Sequence, residues 1–187
     1  MSGSKRAWIF IAALSLALAS QPAHSQAKTF LPCSKATMAR PGVGVGYKGE
    51  VSIDDFALHA QIPEELTGWG GVASNAPFHG FTIFLDPTMR SCILFEIHLR
   101  IDEDEAPKRP KTSKTLLLGN ATAWQVSNSN RAKSLTNIQT HFSFSHDGHT
   151  DDGMILLITP AADLQKSRHV YDTFLKSVAL GAPHSAF

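Results

Sequence analysis

His141, His146, Asp147, His149, Asp151 and Asp152 form the densest set of metal-ligating side chains in the chain. Imidazole nitrogens combined with a carboxylate oxygen suit zinc or another transition metal, and a metal held there would support hydrolysis by activating water. His146, His149 and Asp151 are the best-placed ligand set, because His146-Asp147-Gly148-His149-Thr150-Asp151-Asp152-Gly153 can bring them together in one loop. The same run has a plainer reading. Asp147-Gly148 and Asp152-Gly153 are turn dipeptides, and a polar loop joining two strands is what a hairpin needs. The hairpin reading is the stronger one, and a metal-assisted hydrolase is the alternative. A calcium loop of EF-hand type lacks its fixed ligand spacing and final glutamate here.

Other catalytic chemistry finds less to stand on. Gly44-Val45-Gly46-Tyr47-Lys48-Gly49-Glu50-Val51 matches a glycine-rich phosphate-binding pattern, but Pro41-Gly42 precedes it and a β-rich run follows, where a dinucleotide site needs a strand and then a helix. A kinase would also need a catalytic loop and a metal-binding Asp-Phe-Gly. There is no G-x-S-x-G elbow, no Ser-x-x-Lys pair and no H-E-x-x-H helix. Glu96 falls beside His98 and Arg100 on the polar side of a strand, the pattern of a solvated sheet face. No catalytic residue is assigned, and no cofactor is expected.

Recognition has a better candidate. Trp69, Phe78 and His79 belong to a glycine-rich stretch running from Leu66-Thr67-Gly68-Trp69-Gly70-Gly71 to Gly80. An aromatic on such a loop offers a large contact area to a protein partner. The competing reading folds Trp69 back to plug one end of the core. Asn120-Ala121-Thr122 is a glycosylation sequon, relevant only in a host that glycosylates exported chains.

The elements that must carry these residues are mostly strands. Phe56, Leu58, Ala60 and Ile62 alternate with period two, and Pro63 ends the run. Glu64 to Pro77 reads as a turn-rich connection. His79–Asp86 and Ser91–Ile101 read as a hairpin across Asp86-Pro87-Thr88-Met89-Arg90. Ile93, Phe95, Ile97, Leu99 and Ile101 share one face of its second strand. Glu103 to Lys114, with Pro107 and Pro110, reads as an exposed loop. After Leu116 to Leu118 and a turn expected at Gly119-Asn120, further strands are expected at Ala123–Ser127, Ile138–Ser145 and Met154–Thr159. From Pro160 to about Leu180 the period becomes helical, with Leu164, Val170, Tyr171, Phe174, Leu175 and Val178 on one stripe. Thr159 is the expected cap and Gly181 the expected terminator. Together these predict an α+β fold, an antiparallel sheet packed against a C-terminal helix.

The N-terminal stretch supplies an address. Lys5 and Arg6 precede an apolar run from Ala7 to Ala19, too short to span a bilayer, and Ala23-His24-Ser25 offers small residues to a signal peptidase. Residues 1–25 are read as a signal peptide, 26–46 as an irregular arm and 47–187 as a single domain. Removing 25 residues from 187 leaves 162, one ordinary domain. The basic count falls from 17 to 15 against 16 acidic residues, a net charge of about −1. The one dense basic cluster, Lys108-Arg109-Pro110-Lys111, directly follows Asp102-Glu103-Asp104-Glu105, which argues against nucleic acid as a partner. An even cysteine pair in an exported chain reads as a disulfide, here Cys33 with Cys92. Neither lies in a Cys-x-x-Cys motif, and there are too few thiols for a structural zinc site. Pro32 before Cys33 does not fit a lipoprotein signal.

From Tyr47 to Val178 the order of features resembles the PsbP-like α/β fold. The likeness rests on the strand ending in Phe56-x-Leu58-x-x-x-Ile62-Pro63, on central hairpins, on a Gly-x-Ala before a later strand, and on a last strand leading into Phe174-Leu175-Lys176-Ser177-Val178. The resemblance implies an adaptor rather than an enzyme, and it brings no catalytic motif. The cysteine pair and the charged loop at 103–114 depart from the pattern. The leading expectation is an exported, periplasmic or secreted, non-enzymatic domain that binds a protein partner, as an immunity or envelope assembly factor. After cleavage it would keep no membrane span.

Overall fold

The computed structural model describes Cys33 and residues 41–70, 80–98, 108–130, 134–146 and 149–180. The alternation around Leu58 produces a strand, β3 (Leu58–Gln61), entered through a 3-10 turn at Asp54–Phe56. Phe56, Leu58, Ala60 and Ile62 are all buried, as period-two patterning requires. β3 pairs with β2 (Glu50–Ile53) in a small antiparallel sheet.

Among the described residues the main sheet has eight strands, all paired antiparallel. In chain order they are β1 (Val45–Tyr47), β4 (Gly68–Gly70), β5 (Gly80–Phe84), β6 (Cys92–His98), β7 (Lys114–Leu118), β8 (Ala121–Asn130), β9 (Leu135–His146) and β10 (His149–Pro160). Across the sheet they run β1-β4-β5-β6-β10-β9-β8-β7, so among the described residues β1 and β7 are the two edges. The expected β5–β6 hairpin forms, with Phe81 opposite Phe95 and Ile83 opposite Ile93.

Three details differ from the sequence reading. The sheet takes up Val45 and Gly46, the last two main-chain steps before Tyr47. The stretch read as a connection from Glu64 to Pro77 contains β4, because Gly68 to Gly70 is wedged between β1 and β5. β10 starts at His149 rather than Met154, so Asp152-Gly153 is no turn. Gly153 pairs with both Ile97 and Phe142, and a Cβ placed on it would stand 2.2 Å from Phe142 Cζ. Its missing side chain serves close packing under an aromatic ring rather than chain reversal.

The helix α1 (Leu164–Ser177) follows a 3-10 turn at Ala161–Asp163 and buries Ser167, Tyr171, Phe174 and Leu175. Thr159 does not cap it. Its hydroxyl lies between those of Ser91 (3.0 Å) and Ser167 (2.9 Å), tying β10 to the β5–β6 hairpin and to α1. The helix ends before Gly181 is reached. Val178 turns extended, Ala179 exchanges backbone hydrogen bonds of 2.8 and 2.9 Å with His59, and Leu180 lies parallel to Gly119. The C-terminal segment thus joins the small sheet to the far end of β7.

The core fills the space between one face of the large sheet and a layer made of α1 and β2–β3. Phe81 stacks on Phe95 at 5.2 Å, Phe95 on Phe142 at 5.8 Å, and Phe174 meets Phe81 edge-on at 6.0 Å. On the opposite face Cys33, Phe84, Cys92, Leu94 and Ile158 form a second buried cluster. Cys33 and Cys92 are joined by a disulfide, with Cα atoms 5.9 Å apart. The α+β class and the cysteine pairing are therefore as expected from sequence.

Candidate functional site

Trp69 occupies the middle of β4, between two glycines. A side chain on Gly70 would meet the Gly80 carbonyl at 2.5 Å, and one on Gly68 would press on the Phe81 ring at 3.0 Å. These glycines let three strands close together, so Trp69 is held on a strand and not offered on a loop. The indole is half-buried, lies over Gly46 and packs against the disulfide cluster. It covers a face of the sheet rather than plugging an end of the core. Phe78 and His79, its expected companions, lie outside the described residues.

The histidines are dispersed by the sheet. His141 stacks on Trp124 with ring centroids 4.1 Å apart. His146 and His149 are register partners at the ends of β9 and β10, and their side chains lie outside the described residues. Asp151 is buried opposite Phe144, and Asp152 accepts a hydrogen bond from the Ser143 hydroxyl. Among the described residues no three His, Cys, Asp or Glu side chains gather as a metal site.

Two hollows flank the helix. The smaller, about 280 Å³, lies between the β5–β6 turn and the start of α1. Its charges are matched, with Arg90 Nη2 3.1 Å from Asp163 Oδ2. Asp86 organises the turn beside it. The backbone N–H groups of Thr88 (2.8 Å), Arg90 (3.4 Å) and Ser91 (2.7 Å) donate to its carboxylate, as does the Thr88 hydroxyl. Burial pushes this carboxyl upward, but the Thr88 hydroxyl and the three N–H donors together hold it below the usual carboxylate range.

The larger hollow, about 340 Å³, runs between edge strand β7 and α1. Leu116, Leu118 and Leu175 form an apolar floor. Lys114, Arg168 and Lys176 stand on the rim with one carboxylate, Asp172, whose Oδ2 is 3.4 Å from Arg168 Nε. Upstream, the Arg109 guanidinium donates to Ser113 Oγ at 2.8 Å and to Thr115 Oγ1 at 2.5 Å, holding another cation along β7. Leu117, which also lines the hollow, is 70% exposed. Among the described residues nothing pairs with the outer edge of Lys114–Leu118. An unpaired edge beside a groove is the arrangement by which an extended segment can join a sheet.

Sequence reasoning missed this groove. Its one local signal was Leu116-Leu117-Leu118 between Lys114 and a turn, since three consecutive leucines in a strand cannot all face one core. Nothing in the sequence placed β7 at an edge or brought Arg168 and Lys176 beside it.

No known protein family matches the sequence, and no curated protein does. Among solved structures the fold is similar to the crystal structure of LpqN, described as involved in cell envelope biogenesis of Mycobacterium tuberculosis. The TM-score is 0.51 and the identity 16%, over 72% of this chain and 91% of that one. Among the described residues no helix is long and apolar enough to cross a membrane.

Proposed function

We propose that this protein is an exported, non-enzymatic domain that binds a protein partner in the cell envelope, as an assembly factor. The observation that carries the reading is the open β7 edge beside the β7–α1 groove, a docking geometry for polypeptide. Export is supported by the Cys33–Cys92 disulfide, since such bonds persist in oxidising compartments. The envelope assignment draws on the fold likeness to LpqN and its description. Residues 47–187 act as one unit in this reading, of the PsbP-like adaptor type, and Trp69 serves the sheet face while β7 meets the partner.

The test is site-specific photo-crosslinking in the native envelope, with the reactive residue replacing Leu117 in one strain and exposed His169 in another. A discrete adduct from position 117 alone is expected. Equal labelling from both positions, or none from 117, would reject the reading.

A further inference from the structure

We propose that the β7–α1 groove receives an extended, acidic segment of a partner protein, which adds to β7 as a ninth strand of the eight-stranded sheet. This rests on the protein-binding reading above and specifies the chemistry of what is bound.

The backbone supplies the first part of the recognition. Among the described residues β7 is hydrogen-bonded on one side only, to β8, from Lys114 opposite Gln125 to Leu118 opposite Ala121. Leu180, parallel to Gly119, already occupies the position just past Leu118, so among the described residues the open ladder is Lys114 to Leu117. A segment added there would turn alternate side chains toward α1, over the floor of Leu116, Leu118 and Leu175. Small apolar residues at those alternate positions suit a groove of about 340 Å³ with a leucine floor.

Charge selects the rest. Lys114, Arg168 and Lys176 outnumber Asp172 on the rim. A second copy of this chain would bring the same cations to the same edge. Lysine on an edge strand is a common guard against such self-pairing. The same charges attract a segment carrying carboxylates and steer its approach.

The probe is a fluorescein-labelled peptide of alternating Glu and Val, titrated into the purified oxidised protein at low salt and followed by anisotropy and backbone amide NMR. Controls are a Lys–Val peptide and a Glu–Val peptide N-methylated at alternate residues. The Glu–Val peptide should bind and shift the amides of β7, and both controls should fail. The double variant Lys114→Glu/Lys176→Glu, both sites exposed, should keep its melting temperature and bind roughly tenfold more weakly. Equal binding of Lys–Val peptide, no binding, or shifts away from β7 would overturn the proposal. So would concentration-dependent dimerisation blocked by Leu117→Lys, which would make the occupant a second copy. Binding seen only after Asp102, Glu103, Asp104 and Glu105 are neutralised would make it the chain's own acidic run. If the peptide fails while Leu117 still crosslinks to a partner, the acidic-strand inference falls and the protein-binding reading stands.

Discussion

The Thr140 hydroxyl lies 2.7 Å from that of Tyr171, joining β9 to α1 through the middle of the core. The proton order in this chain is settled by its ends. Gln125 Nε2 donates to Thr140 Oγ1 at 3.0 Å, and Tyr171 donates to the Ile155 carbonyl at 2.9 Å. Tyr171 has one proton, so it must accept from Thr140. Three strands and the helix are thus tied together by a chain of hydrogen bonds through Thr140 and Tyr171 in the core.

Tyr171→Phe removes one donor from the Ile155 carbonyl and leaves the Thr140 proton without its acceptor, at a cost of about 1–3 kcal/mol. Thr140→Val should couple strongly to it in a double-mutant cycle measured by urea denaturation. Burial holds the Tyr171 phenol well above its ordinary range. The folded state therefore keeps a proton that the unfolded chain releases near pH 10. This stability is complete below that pH and declines as pH rises toward the folded value. Relative to the native protein, Tyr171→Phe should lose less stability above about pH 10.

Gly153 sits where any side chain would collide with Phe142 and with the Glu96 carbonyl, 2.6 Å from an added Cβ. Gly153→Ala should destabilise by about 2–3 kcal/mol through overpacking. Phe142→Leu in the same chain should recover part of the loss, because the ring is one of the two obstacles. Thermal melts of the two singles and the double check this.

The disulfide closes a separation of 59 residues and holds fully buried Cys33 against the outer cluster. Cys33→Ser/Cys92→Ser should cost about 2–4 kcal/mol, read as a lower urea midpoint. The core on the α1 face is independent of it, so near-ultraviolet dichroism from Tyr171 should persist below the new midpoint.

The donors around Asp86 bind its ionised form more strongly than its protonated form, and Asp86→Ala should cost about 1–2 kcal/mol at neutral pH. Its carboxyl is held below the ordinary range, so this stability is present above roughly pH 4 and is lost as pH falls through the folded value. The difference between native and Asp86→Ala stability should therefore shrink on acidification. A constant difference from neutral to acid pH would count against an ionic role.

Much of this molecule was legible before any coordinates. Period-two runs at Leu58, Ile93 and Phe142 and a four-residue stripe at Val170, Phe174 and Val178 determined the α+β class, because each period admits one backbone that buries the apolar face. The even cysteine pair determined the disulfide. What local pattern could not encode was strand order. Gly153 resembles a turn residue until β6 and β9 close on both sides of it, and Trp69 resembles a loop aromatic until β1 and β5 flank it. The β7–α1 groove combines Lys114 with Arg168 and Lys176, residues more than fifty positions apart. Only long-range pairing sets β7 at the sheet edge and lays the helix beside it. That placement turns a leucine run and scattered cations into a surface able to take another strand.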